Sequence, residues 1–586
     1  MQLSPHKVFG QTAQDTKNLE KARTACRTAL RAKPYDIDCM NALGLIECQL
    51  GNPSAAKQWF KKAVGLKPDR AEIQANYGFV LIEEEEYAEA IVTLRHAVAL
   101  APRHIEAAYH LGLALSKTGQ LDEAAAVYRQ VLILKPDYVE ALNSLGNLLF
   151  DQGKPRDAIV CFQRALAVRP DYVMGYNNMG LVLAALGELD DAEAQYRKAI
   201  SLMPNYPEAH NNLGVVFAQR GKFEESIGCY QQALALRPDY PEAHNNLGNA
   251  LKDCGQIEDA ITHYEKALRK QSSPDYRHNL ALAQLAVGQF DQGWRNYEAR
   301  WQTKALTHVF RNFTQPQWQG EEAVGRTILV HAEQGFGDTL QFCRYAPLIK
   351  ARDMRVIMEV PPALVKIIGS LDGVNQVIAE GQDLPDFDLH CPMMSLPLAF
   401  ATKLGTIPAS IPYLAADQKD AAAWQSRLPD AKGALRVGLV WEGNARTQTQ
   451  DLAAANRRRS IAPELLAPII EVPGVQFYSL QKVGAPAPEH FGLIDTMSEC
   501  NDFAATAALI ANLDLIISVD TAVVHLAGAM GKPVWGLNRF SGCWRWLRGR
   551  EDSPWYPTLR LFHQKSAGDW KNVIEQVRSA LMRRVA

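Results

Sequence analysis

PDYVEALNSLGNLLFDQGKPRDAIVCFQRALAVR, residues 136 to 169, is one period of a pattern that recurs every 34 residues. Pro34, Pro68, Pro102, Pro136, Pro170, Pro204 and Pro238 stand at that spacing, and so do Gly44, Gly78, Gly112, Gly146, Gly180, Gly214 and Gly248. Small residues recur between them, as at Ala90, Ala124, Ala158 and Ala192. Aromatics recur late in the period, at Phe60, Tyr128, Phe162, Tyr196, Tyr230 and Tyr264. The spacing predicts two antiparallel helices per unit. Small residues let the paired helices approach, the aromatic fills the remaining gap, and proline stops the second helix.

The pattern resembles the tetratricopeptide repeat, which implies an all-α superhelix. Full units are expected over 37–303, preceded by an incomplete unit, LEKARTACRTALRAKP, within 1–36. The last unit is irregular. Its proline is Pro274, and it ends GQFDQGWRNYEARW, an aromatic-rich close suited to capping the stack and joining the next domain. First helices line the concave face. On them Asn76, His110, Ser144, Asn178, Asn212, Asn246 and Asn279 occupy equivalent sites. An asparagine amide both donates to and accepts from a peptide backbone, so such a row suits an extended polypeptide. Tolerance of asparagine at a half-exposed helical site explains the row equally well.

After Trp301 the period changes. Residues 304–325 read as a polar linker. Beyond it short apolar runs alternate with helical stretches: TILVHA, RVIMEV, a weak FDLHC, then RVGLVW, VQFYSL, LIISV, PVWGL and LRLFH. Such alternation predicts parallel sheets covered by helices. A proline-rich span from Gly405 to Lys419 divides the series into 326–420 and 421–586. Two Rossmann-like domains are expected.

Ligands of such sheets bind beyond the carboxyl ends of the strands. Three loops lie there. HAEQGFGDTLQF carries Gly335, Gly337 and Asp338, where the aspartate is either a helix cap or a functional carboxylate. WEGNARTQTQDLAAANRRRSI brings Arg457, Arg458, Arg459 and Ser460, a basic loop able to close on phosphate or to stay solvated. In LIISVDTAVVHLAGAMGKPVWGL, Asp520 is expected to cap a helix whose first N–H groups, at Thr521, Ala522 and Val523, suit an anion. His525 follows within a turn. An ordinary strand-to-helix turn reads the same way. Lys482, in SLQK, is a further phosphate candidate or a plain surface lysine.

VDTAVVHLAGAMGKPV resembles the signature of heptosyltransferase-like glycosyltransferases, and GFGDTLQF resembles their N-terminal G-x-G-D loop. The resemblance covers residues from Thr327 to Leu581. It implies a GT-B arrangement, a nucleotide-sugar donor, inversion at the anomeric carbon and no metal or other cofactor. Asp338 would be the base. Arg458, Arg459, Thr521 and His525 would stabilise the leaving phosphate, and Asp520 would fix the loop. Repeats joined to such a module also resemble the protein O-GlcNAc transferases and bacterial flagellin glycosyltransferases; in the O-GlcNAc transferases, concave asparagines grip the acceptor. Asn76, Asn178, Asn212, Asn246 and Asn279 match that place; His110 and Ser144 interrupt it. The implied function is O-glycosylation of Ser or Thr on a protein chosen by the repeats, with flagellin an acceptor by analogy. A glycan or lipopolysaccharide transferase with docking repeats, and a scaffold with a decayed transferase, are the alternatives.

A formal net charge of -2 offers no bulk attraction to nucleic acid or anionic membrane. The 10 cysteines are scattered without CxxC or zinc spacing, as in a reducing compartment. The N-terminal stretch has no apolar core of a secretory signal, and no apolar run is long enough to span a membrane. A cytoplasmic protein is expected.

Overall fold

The computed structural model describes residues 13–304, 306–443 and 456–586. Two compact units share it, Met1–Val216 and Phe217–Ala586.

The first unit opens with the single helix Ala13–Ala32 and continues in helical pairs, Ile37–Gln49 with Pro53–Leu66 through Val173–Ala185 with Leu189–Leu202. The periodic residues explain the pairing. A Cβ added to Gly146 would lie 2.6 Å from the Phe162 ring, and one on Gly112 would lie 2.6 Å from Tyr128. The glycine therefore lets the aromatic of the partner helix rest on bare backbone. In the second pair Leu94 fills the same place over Gly78. Each turn between paired helices needs a left-handed residue, supplied by Gly119, Gly153 and Gly187 and, in one unit, by Glu85 at φ 59°.

The second unit holds the remaining repeats and both sheets. Its helices Phe223–Leu236, Pro241–Asp253, Ile257–Lys270, Pro274–Ala286 and Phe290–Tyr297 finish the array. Four parallel strands follow: β1 (Thr327–His331), β2 (Arg355–Val360), β3 (Gln376–Ala379) and β4 (Leu389–Pro392), in the order β3-β2-β1-β4. A second parallel sheet contains β5 (Leu435–Val440), β6 (Val475–Ser479), β7 (Ile494–Asp495), β8 (Leu515–Val519), β9 (Val534–Asn538) and β10 (Leu559–His563), in the order β10-β9-β8-β5-β6-β7. Every apolar run singled out in the sequence is a strand. β3 and β7 are additional; both are edge strands, of four and two residues, too short to stand out as runs.

The expected linker 304–325 is more than a spacer. Trp318 is fully buried, and its backbone N–H donates to His390 O of β4 at 2.8 Å. Nor does the helical array end at a free boundary. Trp294 donates to Thr402 O at 3.2 Å and meets the Trp544 ring edge-on at 5.3 Å. The fully buried Arg300 bonds Glu298, Glu333 and Ser395. The aromatic-rich close of the repeats is thus the seam to the α/β half. No helix among the described residues is long and apolar enough to cross a membrane.

Candidate active site at the two sheet switch points

Strand order reverses between β1 and β4 in the first sheet, and between β5 and β8 in the second. A doubly wound sheet opens a crevice at that point, because its crossover helices leave to opposite faces. The loops after β1, β5 and β8 all leave from these reversals, so the three loops marked in the sequence are placed by topology.

After β1, Gly335 is the N-cap of helix Phe336–Phe342. Asp338 sits three residues inside the helix and reaches back, one oxygen accepting the Gly335 N–H at 3.0 Å. Its other oxygen bonds the buried Arg545 guanidinium. Asp338 is therefore both a helix-start residue and half of an ion pair. Arg545 also donates to Gln341 at 2.9 Å and lies over the Trp544 ring. Burial works against the Arg545 charge, and Asp338, Cys543 and Tyr297 together outweigh it, so the guanidinium is held above its usual range.

After β8, the cap differs from the expectation. Thr521, not Asp520, is the N-cap of helix Ala522–Ala529; Asp520 is still leaving the strand. The Thr521 hydroxyl is 3.0 Å from Ser518 Oγ. His525 is buried, its Nδ1 3.0 Å from the Tyr556 hydroxyl and its ring stacked on Trp546 at 5.3 Å. Burial, Arg545 and Arg344 together hold its imidazole well below the usual histidine range, so it is neutral at pH 7. The two loops touch. A Cβ on Gly337 would stand 2.8 Å from His525 Cδ2 and 3.6 Å from Ala522 Cα.

After β5, Arg459 donates to Asn456 at 2.9 Å and to Asp520 O at 3.4 Å, which brings it to the β8 loop. A Cβ on Gly443 would collide with this guanidinium. Arg458 points elsewhere, 3.2 Å from Asp253 of the repeats. The Ser460 hydroxyl donates to Asn456 O at 2.9 Å. Lys482 donates to Met497 O and Cys500 O, each at 2.8 Å, and so ties down the turn after β7. The structure gives Ser460 and Lys482 these local bonds and no place in the Asp338–Arg545–His525 cluster. Residues 444–455 of the basic loop lie outside the described residues, while Arg457 is exposed.

Sequence reasoning missed Arg545, Trp546 and Tyr556. RFSGCWRWLRGR follows β9 and so also leaves the carboxyl end of a strand, which was the available signal. Tyr297 was missed as well. It accepts a hydrogen bond from Gln334 of the β1 loop at 3.0 Å, wiring the last repeat to that loop.

The candidate asparagines bond neighbouring asparagines, four of them across successive repeats and Asn246 within its own helix. Asn76 donates to Asn41, Asn178 to Asn143 and Asn212 to Asn177 in the first unit, at 3.1, 3.0 and 3.0 Å. In the second, Asn279 donates to Asn245 at 3.0 Å, and Asn245 to Asn246 at 3.5 Å. All five candidate asparagines are half-buried. Part of each amide is thus spent on its neighbours, which fixes its orientation. His110 interrupts the row as a buried ring 5.0 Å from Phe79. Ser144 is 3.4 Å from the Tyr109 hydroxyl.

Residues 104–308 match the model of the cilia and flagella-associated protein 70 C-terminal domain, and residues 5–140 that of the cytochrome c-type biogenesis protein H tetratricopeptide domain. The helical pairs are tetratricopeptide repeats. Residues 501–543, which contain β8, the His525 helix and β9, match glycosyltransferase family 9 (heptosyltransferase). Protein FlbA of Caulobacter vibrioides is 29% identical over 350 residues, covering 53% of this chain and 56% of that protein. The chain thus spans about half the length of this curated relative. Among solved structures, a thermophilic tetratricopeptide protein of Thermus thermophilus is 27% identical, covers 31% of this chain and 99% of that one, and has a TM-score of 0.29. A tetratricopeptide repeat protein from Parabacteroides merdae is 17% identical, covers 42% and 98%, and has a TM-score of 0.38.

Proposed function

We propose that the chain is an inverting glycosyltransferase that moves a sugar from a nucleotide sugar to Ser or Thr of a protein laid along the repeats. The observation that carries this reading is the meeting of the β1 and β8 loops, Gly337 against His525 and Asp338 against Arg545. Two crevices from two sheets thereby face one site. The family match on residues 501–543 supports a glycosyltransferase, and the repeats support a protein partner.

In this reading Asp338 takes the proton of the acceptor hydroxyl as its oxygen attacks the anomeric carbon. The bond from that carbon to the donor phosphate breaks, and its electron pair leaves with the phosphate. Arg545, Arg459 and the N–H groups of Thr521, Ala522 and Val523 meet that charge. Neutral His525 holds the helix start against the β1 loop. No metal enters the scheme. Concave asparagines, already oriented by those bonds, hold acceptor backbone, and flagellin is the acceptor the resemblance suggests.

The test joins binding to turnover. Calorimetry of the full chain with UDP-, GDP-, ADP- and CMP-linked sugars should find a binder, and intact-mass analysis should find its sugar on a protein acceptor. Asp338→Asn should bind the donor yet lose about 10²–10⁴-fold in transfer rate. Binding of no nucleotide, or transfer at the normal rate by Asp338→Asn, rejects the assignment. Transfer to a glycan but to no protein would favour the lipopolysaccharide alternative.

A further inference from the structure

The two ring nitrogens of the buried His525 have unequal surroundings. Nδ1 lies 3.0 Å from the Tyr556 hydroxyl. Nε2 has no hydrogen-bond partner among the described residues. It borders the β1 loop instead: a Cβ on Gly337 would stand 3.4 Å from Nε2 and 3.6 Å from Ala522 Cα. Nε2 and the start of helix Ala522–Ala529 therefore flank the same space.

A neutral imidazole carries one proton, so the nitrogen that holds it decides what this space meets. A chain of hydrogen bonds makes the choice. The buried Arg344 guanidinium can only donate, and it donates to the Tyr413 hydroxyl at 2.8 Å. Tyr413 gives its single proton to Leu340 O, also at 2.8 Å. Leu340 belongs to the helix that carries Asp338. The Tyr556 hydroxyl is 3.4 Å from the Tyr413 oxygen, beyond the usual reach of an O–H donor. Its proton is left to the nearer acceptor, His525 Nδ1. With Nδ1 accepting, the imidazole proton sits on Nε2.

Bare backbone seats the tyrosine for this task. A Cβ on Gly528 would stand 2.6 Å from the Tyr556 ring. Gly528, three residues beyond His525 on the same helix, thus lets the ring lie against the helix. Tyr413 is tied to that helix as well, its N–H donating to Ala529 O at 2.9 Å.

We propose that Tyr556 is a positioning residue: by donating to His525 Nδ1 it keeps the imidazole proton on Nε2, which then donates to an anionic oxygen of the donor's diphosphate beside the Ala522 helix start. The inference rests on the donor-site reading above. It adds a neutral side-chain donor whose direction is set from the first-sheet half, through Arg344 and Tyr413.

Two measurements on the full chain test it. In the ligand-free chain with 15N-labelled histidine, NMR reads which ring nitrogen bears the proton, and the His525 signals are those lost in His525→Gln. Nε2–H is the expected form; an Nδ1–H imidazole overturns the inference alone. Isothermal titration with UDP, GDP, ADP and CDP reads the consequence. Tyr556→Phe should weaken the preferred nucleoside diphosphate by about 3- to 10-fold, the size of one hydrogen bond. The same substitution should change nothing in a His525→Gln background, because it acts through His525. A loss of equal size in both backgrounds makes Tyr556 a packing residue and overturns the proposal, as does no loss in either. Circular dichroism checks folding; if Tyr556→Phe does not fold, the wild-type tautomer decides by itself. Failure of the wild type to bind any of the four nucleotides overturns the donor-site reading and the role of Nε2–H with it.

Discussion

Gly337 has no room for a side chain. A Cβ there stands 2.8 Å from His525 Cδ2, and His525 cannot retreat, being held by Tyr556 and Trp546. Gly337→Ala must therefore push the helix starts at Phe336 and Ala522 apart. Overpacking of this kind costs about 1–3 kcal/mol. Because the strain falls between the two loops, transfer should drop at least about tenfold while the full chain stays folded, since 1.4 kcal/mol already equals a factor of ten. Steady-state kinetics with a thermal melt reads both; unchanged kinetics would mean the loops do not need this separation. The sequence showed the glycine and the aspartate of G-x-G-D and the histidine of D-T-x-x-x-H, because each belongs to a local turn. It did not show that Asp338 pairs with Arg545, since 207 residues separate them and local spacing carries no signal for such a contact. Asp520 was misplaced as the cap for a smaller reason. Both Asp and Thr are good cap residues, and only the exact end of β8 decides between them.

At the scale of the element, the 34-residue period was legible nearly whole. Its prolines, glycines and aromatics each perform a local geometric task that any neighbouring unit repeats. The departures are informative. Glu85 occupies the turn site where other units carry Gly51, Gly119, Gly153 and Gly187, and it adopts the same left-handed backbone at φ 59°. A side chain in that conformation costs roughly 1–2 kcal/mol against glycine. Glu85→Gly should accordingly stabilise the first unit by about 1 kcal/mol, less the extra entropy of an unfolded glycine. Urea titration of the full chain checks the sign. A destabilised variant would mean that the Glu85 side chain makes contacts outweighing its strain. The edge strands β3 and β7 escaped the sequence for the opposite reason. They pair on one side only and are short: β3 offers only Val377, Ile378 and Ala379 as an apolar run, and β7 only Ile494.

At the scale of the whole molecule, the division the sequence suggests lies after residue 303, and the compact units divide instead at Val216. The last repeats belong with the α/β half because their buried groups have partners there. Arg300 is the decisive one: fully buried, it bonds Glu298, Glu333 and Ser395. Burial raises the Glu333 carboxyl, and Arg300 counters that shift, so the charged pair depends on both members. Removing one member of a buried pair leaves the other uncompensated and typically costs about 3–5 kcal/mol. Arg300→Met should therefore destabilise the unit Phe217–Ala586 and spare the repeats before it. Differential scanning calorimetry of the full chain, beside a fragment of residues 1–204 that ends at the boundary proline Pro204, can tell the two apart. The fragment should melt cooperatively alone, since repeat stability is a sum of neighbouring interfaces. In the full chain the transition matching the fragment should stay in place while the other falls by several degrees. A fragment of 1–301 should melt less cooperatively than 1–204, because it exposes Trp294, Tyr297 and Arg300, all buried in the full chain. If Arg300→Met lowers both transitions equally, the two units are one cooperative body and the buried pair serves the whole of it.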